Sequence, residues 1–114
     1  GGWQTCLAAR CTMLLVPSFR DRIPVIVDRV TTLCGPGELI DVVVTERGIA
    51  INPRRADLAE AVAGSNLPIR PIEDLKAELD RLCGVPAKIE HSQEPVAVVK
   101  WVDGTVLDSV WRVD

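Results

Sequence analysis

The stretch Asp41–Arg55 constrains this chain more than any other: it reads as a buried strand that breaks at a charged turn, returns, and runs into a helix opened by two arginines. Val42, Val43 and Val44 form a run too apolar for a surface. A continuous β-branched run of this kind belongs to a strand covered on both faces. The reversal at Glu46, Arg47 and Gly48 then sends Ile49–Ile51 back as a short second strand. Thr45, Glu46 and Arg47 would stand at the carboxyl end of the first strand, where α/β sheets hold ligands. Their other reading is a hairpin turn with an exposed charge pair of little energetic weight.

Asn52 and Pro53 have the chemistry of a helix N-cap and first helical residue. That assignment puts Arg54 and Arg55 beside backbone N–H groups that already favour anions. A cation at a helix start opposes the dipole, so two together suggest an anion held between them, although arginines solvated at a surface would cost little. The expectation is one anion site in which Thr45, Glu46, Arg47, Asn52, Arg54 and Arg55 bind substrate.

The rest of the chain reads as an α/β layer structure. A short helix over Gln4–Arg10 precedes a Cys11–Val16 strand stopped by Pro17, and Ser18–Arg22 is a polar loop. Pro24 restricts Ile23–Val27 to an edge strand, Val30–Leu33 continues extended, and Glu38–Val44 is the central strand. Leu58, Ala61 and Val62 share one face of the helix after Pro53, which ends near Gly64. Leu67–Ile69 is a linker. Pro71 opens a second helix with a stripe of Ile72, Leu75, Leu79 and Leu82, capped by Gly84. Val96–Val113 is a hairpin turning at Asp103 and Gly104, with Trp101 opposite Val106 and Val96 opposite Trp111. It is expected to be covered on one side by its own domain and on the other, at least in part, by a neighbour or by missing sequence.

At 114 residues the chain is a single domain or a fragment of one. With 47% hydrophobic and only 4% aromatic residues it is aliphatic, as doubly covered strands require. A net charge of −3 argues against a nucleic-acid partner, which needs a basic face, and none is expected. No apolar run approaches a membrane span and nothing resembles a signal peptide, so a cytoplasmic setting is expected. Cys6, Cys11, Cys34 and Cys83 lack disulfide or metal spacing and read as reduced thiols. With His91 as the only histidine, no metal site is expected.

Separate blocks also carry a family likeness: the whole of Asp41–Arg55, together with Gly1-Gly2, Arg22-Ile-Pro24, Asp28-Arg-Val-Thr-Thr32, Pro36-Gly37-Glu38 and Asp103-Gly104-Thr105-Val106. In this order and spacing the chain resembles the C-terminal portion of the citrate lyase α chain, a citrate:acetyl-acyl-carrier-protein transferase related to the CoA-transferases. Where that family continues Gly-Gly-His-Gln-Asp, this chain has Gly1, Gly2, Trp3, Gln4 and Thr5, leaving Gly1, Gly2 and Gln4 as matches.

The resemblance implies a partial CoA-transferase-like sheet with covering helices and a C-terminal hairpin. It implies exchange of acetyl for citryl on a carrier-protein thioester in citrate fermentation, with Gly1 and Gly2 letting backbone N–H groups approach the thioester oxygen and Gln4 donating an amide. No tightly bound cofactor is implied; a CoA-like prosthetic group is presented by the acyl carrier protein. Citrate, acetate, the acyl carrier protein and the lyase subunit are the implied partners, in a homo- or hetero-oligomer. Since the resemblance places the glycine pair inside a domain, the chain is expected to be truncated and inactive alone. Two other readings stand beside this one: a sugar-phosphate isomerase-like enzyme of the same broad fold, and a non-catalytic interaction fragment. Neither His91 nor Glu46 is expected to act as base or nucleophile.

Overall fold

A computed structural model describes residues 2–114. In chain order it contains helix α1 (Gly2–Ala8), strands β1 (Met13–Leu15), β2 (Phe19–Arg20) and β3 (Ile23–Pro24), and a 3₁₀ turn at Gly37–Leu39. Strands β4 (Val42–Thr45) and β5 (Gly48–Ile51), helices α2 (Ala56–Val62) and α3 (Ile72–Cys83), and strands β6 (Pro95–Lys100) and β7 (Val106–Trp111) follow. The architecture is mixed α/β, with three helices and three small sheets.

The valine run lies at the centre, as its composition demands. β4 pairs in parallel with β1, Met13 opposite Val42, and antiparallel with β5, Val42 opposite Ile51 and Thr45 opposite Gly48. The presumed linker after α2 instead extends this sheet: Ile49 N–H donates to the Pro68 carbonyl at 2.9 Å and Arg70 N–H to the Ile49 carbonyl at 2.9 Å. Gly48, at φ 153°, leaves space that a side chain would close, because Arg70 Cδ, the Pro68 carbonyl and Leu75 Cδ2 crowd the position a Cβ would take.

α3 packs on β5 and β3, and it buries only the middle of its apolar stripe. Leu75 and Leu79 are each 1% exposed, whereas Ile72 and Leu82 are exposed at 39% and 57%. The helix overhangs a narrow sheet, so its end turns stay partly open to solvent. Pro71 and Gly84 bound α3 as their chemistry predicts, Gly84 at φ 76°.

Several local expectations are corrected. α1 starts at Gly2 and ends at Ala8, and β1 is shorter than its apolar run. The polar loop at Ser18–Arg22 is a miniature hairpin, Phe19 opposite Pro24, turning at Asp21 with φ 55°. Ile23–Val27 survives as a strand only through Pro24, which is buried, and Val30–Leu33 is bend and coil. Glu38 lies in the 3₁₀ turn, so the central strand begins at Val42.

The terminal hairpin keeps its predicted register through Ala97–Val110, Val98–Ser109 and Val99–Asp108, but irregularities on both sides shift it to Lys100–Val106 and Pro95–Trp111. Trp101 thereby falls into the loop, its N–H donating to the Thr105 carbonyl at 2.8 Å. The chain covers the hairpin unevenly: five of the six β6 residues are exposed, whereas five of the six β7 residues are half-buried. The Leu33 N–H, donating to Asp108 at 2.8 Å, ties it to the remainder.

Candidate functional site

Because β5 runs back along β4, the residues after Ile51 emerge beside the beginning of β4, not beside its carboxyl end. Thr45–Arg47 and Asn52–Arg55 therefore sit at opposite ends of the strand, roughly 10 Å apart at about 3.3 Å per residue. The single anion site expected from the sequence is two separate clusters.

At the carboxyl end an open crevice of about 510 Å³ is lined by Leu15, Val16, Pro17, Val44, Thr45 and Glu46. Its polar groups are engaged within the chain. The buried Thr45 hydroxyl donates to the Gly48 carbonyl at 3.0 Å and accepts from Arg47 N–H at 3.1 Å. Glu46 accepts from the Ser18 hydroxyl and from Ser18 N–H at 2.9 Å. The Ser18 hydroxyl, foremost, holds the Glu46 carboxyl below the usual range. Arg47 pairs with Glu78 at 2.9 Å and lies over the Phe19 ring at 5.3 Å. Glu78 also binds Arg70, and these two guanidiniums, Arg70 first, depress its carboxyl. Thr45, Glu46 and Arg47 are thus a turn stapled to β2 and α3, not free anion ligands, and a carboxylate kept ionised by Ser18 is ill suited to accept protons near neutrality.

At the opposite end, Asn52 does not cap a helix. Its side chain accepts from Arg54 N–H at 3.1 Å and donates to the Ile40 carbonyl at 3.0 Å, forming a turn that delays α2 to Ala56. Arg55 takes the cap position without capping. The anions that the arginine pair seemed to require are the chain's own. Arg55 grips Asp57 with Nε and Nη2, each at 2.9 Å, and its Nη1 reaches Asp41 at 3.0 Å and the Arg10 carbonyl at 3.0 Å. The carboxylates, Asp57 foremost, raise the Arg55 pKa; Asp41 is held low chiefly by the Thr12 N–H at 2.7 Å and then by Arg55. Arg54 differs: its one ion pair, to Glu38 at 3.0 Å, leaves its side chain 66% exposed.

α1 adjoins this same end. Trp3 packs on buried Gly35, leaving no room there for a methyl group, and the Gly37–Leu39 turn that α1 contacts carries Glu38. Gly2 and Gln4 are exposed, and nothing lies within 4 Å of the Cβ that Gly2 lacks. Gly1 lies outside the described residues. The structure thus brings Gly2, Gln4 and Arg54 to one end of the sheet and separates them from Thr45, Glu46 and Arg47. Among the described residues no group of three His, Cys, Asp or Glu side chains could hold a metal, and all four cysteines are free. His91 stacks on Trp111 at 5.7 Å in the hairpin, far from either cluster in topology.

The sequence reading missed Ser18, Asp41, Asp57 and Glu78 as partners. Asp41 carried a signal, since an acid opening a buried strand needs a cation or donors; Ser18 carried none.

Comparison with known proteins gives a consistent set of likenesses. The family model described as "Citrate lyase, alpha subunit (CitF)" matches residues 1–113. The citrate lyase alpha chain of Haemophilus influenzae is 40% identical over 113 residues, which make up 99% of this chain and 23% of that protein. That of Klebsiella pneumoniae is 39% identical over 99% of this chain and 22% of its own length. A crystal structure of an alpha subunit of citrate lyase from Streptococcus mutans, in complex with citrate, superposes with a TM-score of 0.96 at 40% identity, over 100% of this chain and 22% of that one. The chain thus spans less than a quarter of these relatives. The expected placement at the C-terminal portion of such a subunit is not borne out by these matches. Among the described residues, no helix is long and apolar enough to cross a membrane.

Proposed function

Since the chain belongs to the citrate lyase α-subunit family, we propose that it is part of a cytoplasmic transferase that exchanges the acetyl group of an acyl-carrier thioester for citryl. The superposition of this whole chain on 22% of a citrate-bound relative, at a TM-score of 0.96, carries this reading. In the exchange a citrate carboxylate attacks the acetyl carbonyl and displaces the carrier thiolate, giving a mixed citryl–acetyl anhydride; the thiolate then attacks the citryl carbonyl, acetate leaves, and the citryl thioester passes to a lyase subunit. The carrier's CoA-like arm supplies the thiol. In this reading the three-stranded sheet of β1, β4 and β5 is part of a larger CoA-transferase-like sheet completed by the rest of the subunit.

The end of the sheet beside α1 and Arg54 is the segment's contribution. Arg54 suits a citrate carboxylate because its present partner, Glu38, is 61% exposed and readily exchanged for a ligand. Gly1 and Gly2 would admit the thioester close to the backbone, with Gln4 as an additional donor. Open space around Gly2 means that nothing inside the segment demands a glycine there, so the demand would come from the approaching substrate. In this reading Thr45, Glu46, Arg47, Asn52 and Arg55 serve the fold and are assigned no ligand.

The test is acetate/citrate exchange by the full-length subunit on an acyl-carrier thioester. Gly2→Val is expected to abolish turnover. Arg54→Ala is expected to raise KM for citrate roughly tenfold or more, the ordinary worth of a charged hydrogen bond. Unaltered kinetics in both variants would retire the assignment.

A further inference from the structure

Arg55 is half-buried at the substrate end, and its guanidinium is bonded to three partners within the chain. Of the five N–H groups of a guanidinium, four are directed at protein: two at the Asp57 carboxylate, and two from Nη1 toward Asp41 and the Arg10 carbonyl. These contacts join three elements. Asp41 immediately precedes β4, Asp57 lies in the first turn of α2, and Arg10 belongs to the linker between α1 and β1. The linker is clasped a second time by Asp41: Thr12 N–H donates to its other carboxylate oxygen at 2.7 Å, while Asp41 N–H returns a bond to the Thr12 carbonyl at 3.0 Å.

α1 has few other anchors. None of its residues is buried, and its packing on the remainder rests on Trp3 against Gly35 and on contacts with the Gly37–Leu39 turn. The orientation of Gly2 and Gln4 thus depends on where the linker leaves α1, and the linker is held by the Arg55–Asp41 clasp. We infer that Arg55 is a positioning residue: it binds no substrate, and fixes the α1–β1 linker so that the backbone around Gly2 meets the acyl group at the correct place. The functional consequence rests on the transferase reading above; the clasp does not. A lysine cannot replace it, since a point charge lacks the planar fork that serves a carboxylate and a carbonyl together.

The experiment uses the full-length subunit with Arg55→Ala, Arg55→Lys, Asp41→Asn and Arg54→Ala, followed by exchange kinetics and by hydrogen exchange of the peptide containing residues 9–12. Arg55→Ala is expected to lower kcat about a hundredfold, as for reacting groups misplaced by about an ångström, with KM for citrate within about twofold of the parent. Arg54→Ala should do the reverse. Arg55→Lys should behave like Arg55→Ala, and added guanidinium ion should restore part of the turnover of Arg55→Ala alone. Asp41→Asn combined with Arg55→Ala should cost less than the two losses multiplied, because both act through one clasp. In Arg55→Ala the Thr12 amide should lose protection while that of β4 is retained.

A KM rise in Arg55→Ala matching that of Arg54→Ala would overturn the inference in favour of direct binding. So would a kcat loss that only follows the loss of folded protein. Should the parent subunit prove unable to exchange citrate, the transferase reading falls, and hydrogen exchange alone decides the clasp: unchanged protection of Thr12 in Arg55→Ala would refute it.

Discussion

At the scale of single residues, adjacency in sequence proved a poor guide to role. Arg54 and Arg55 are neighbours, yet one holds an exposed carboxylate and the other is enclosed by two acids and a carbonyl. Glu46 and Ser18 are 28 positions apart and form the closest polar contact of the carboxyl-edge turn. Because the Ser18 hydroxyl is the main reason the Glu46 pKa is low, Ser18→Ala should raise it toward the ordinary glutamate range, observable by carboxyl-carbon NMR titration. The sign of the linkage follows. A carboxylate whose folded pKa is depressed stabilises the fold above its unfolded pKa, and that contribution disappears as pH falls through the folded value. The variant should therefore lose this part of its acid resistance at a higher pH than the parent does. A Glu46 titration unmoved by the substitution would show that backbone donors suffice.

Among elements, what was legible followed local rules. Turn chemistry located the reversal before Gly48, Pro71 and Gly84 bounded α3, and Asp103-Gly104 lies in the hairpin loop. What local rules missed depended on contacts between elements. The four-residue apolar stripe of α3 is correct as a period, but burial of its middle members alone reflects the width of the surface beneath. Leu75→Ala should cost about 2–5 kcal/mol, the usual range for a fully buried leucine. Leu82→Ala, on the exposed end, should cost well under about 1 kcal/mol. Urea denaturation of the chain with each variant measures the contrast, and equal costs would mean that the end of α3 is covered in solution. Asn52 shows the complementary failure: a good cap residue used its side chain for a turn, because Ile40 offered a carbonyl across the sheet.

The whole molecule is open. Its radius of gyration is 16.1 Å, against about 13 Å for an ordinary domain of this length. Its accessible surface is 8344 Å², against about 6,100 Å² for a monomer of this mass. The excess, about 2,200 Å², is larger than the roughly 800 Å² that one partner contributes to a standard protein interface. Met13, Leu14 and Leu15 on the edge strand β1, and Val96, Val98 and Val106 on the hairpin, contribute to it. Light scattering of the isolated 114-residue chain should accordingly report assemblies larger than a 12.4 kDa monomer; a clean monomer would show that these faces tolerate water. Composition pointed to strands needing cover, and residue order marked where β4, the return strand and α3 would lie, because apolar periodicity and turn preferences act over a few positions. Long-range pairing settled the rest. The antiparallel return of β5 carried the arginines to the far end of β4, and the Arg55–Arg10 contact closes over 45 positions. A chain's local preferences cannot specify such a meeting, since its energy exists only after the sheet has formed.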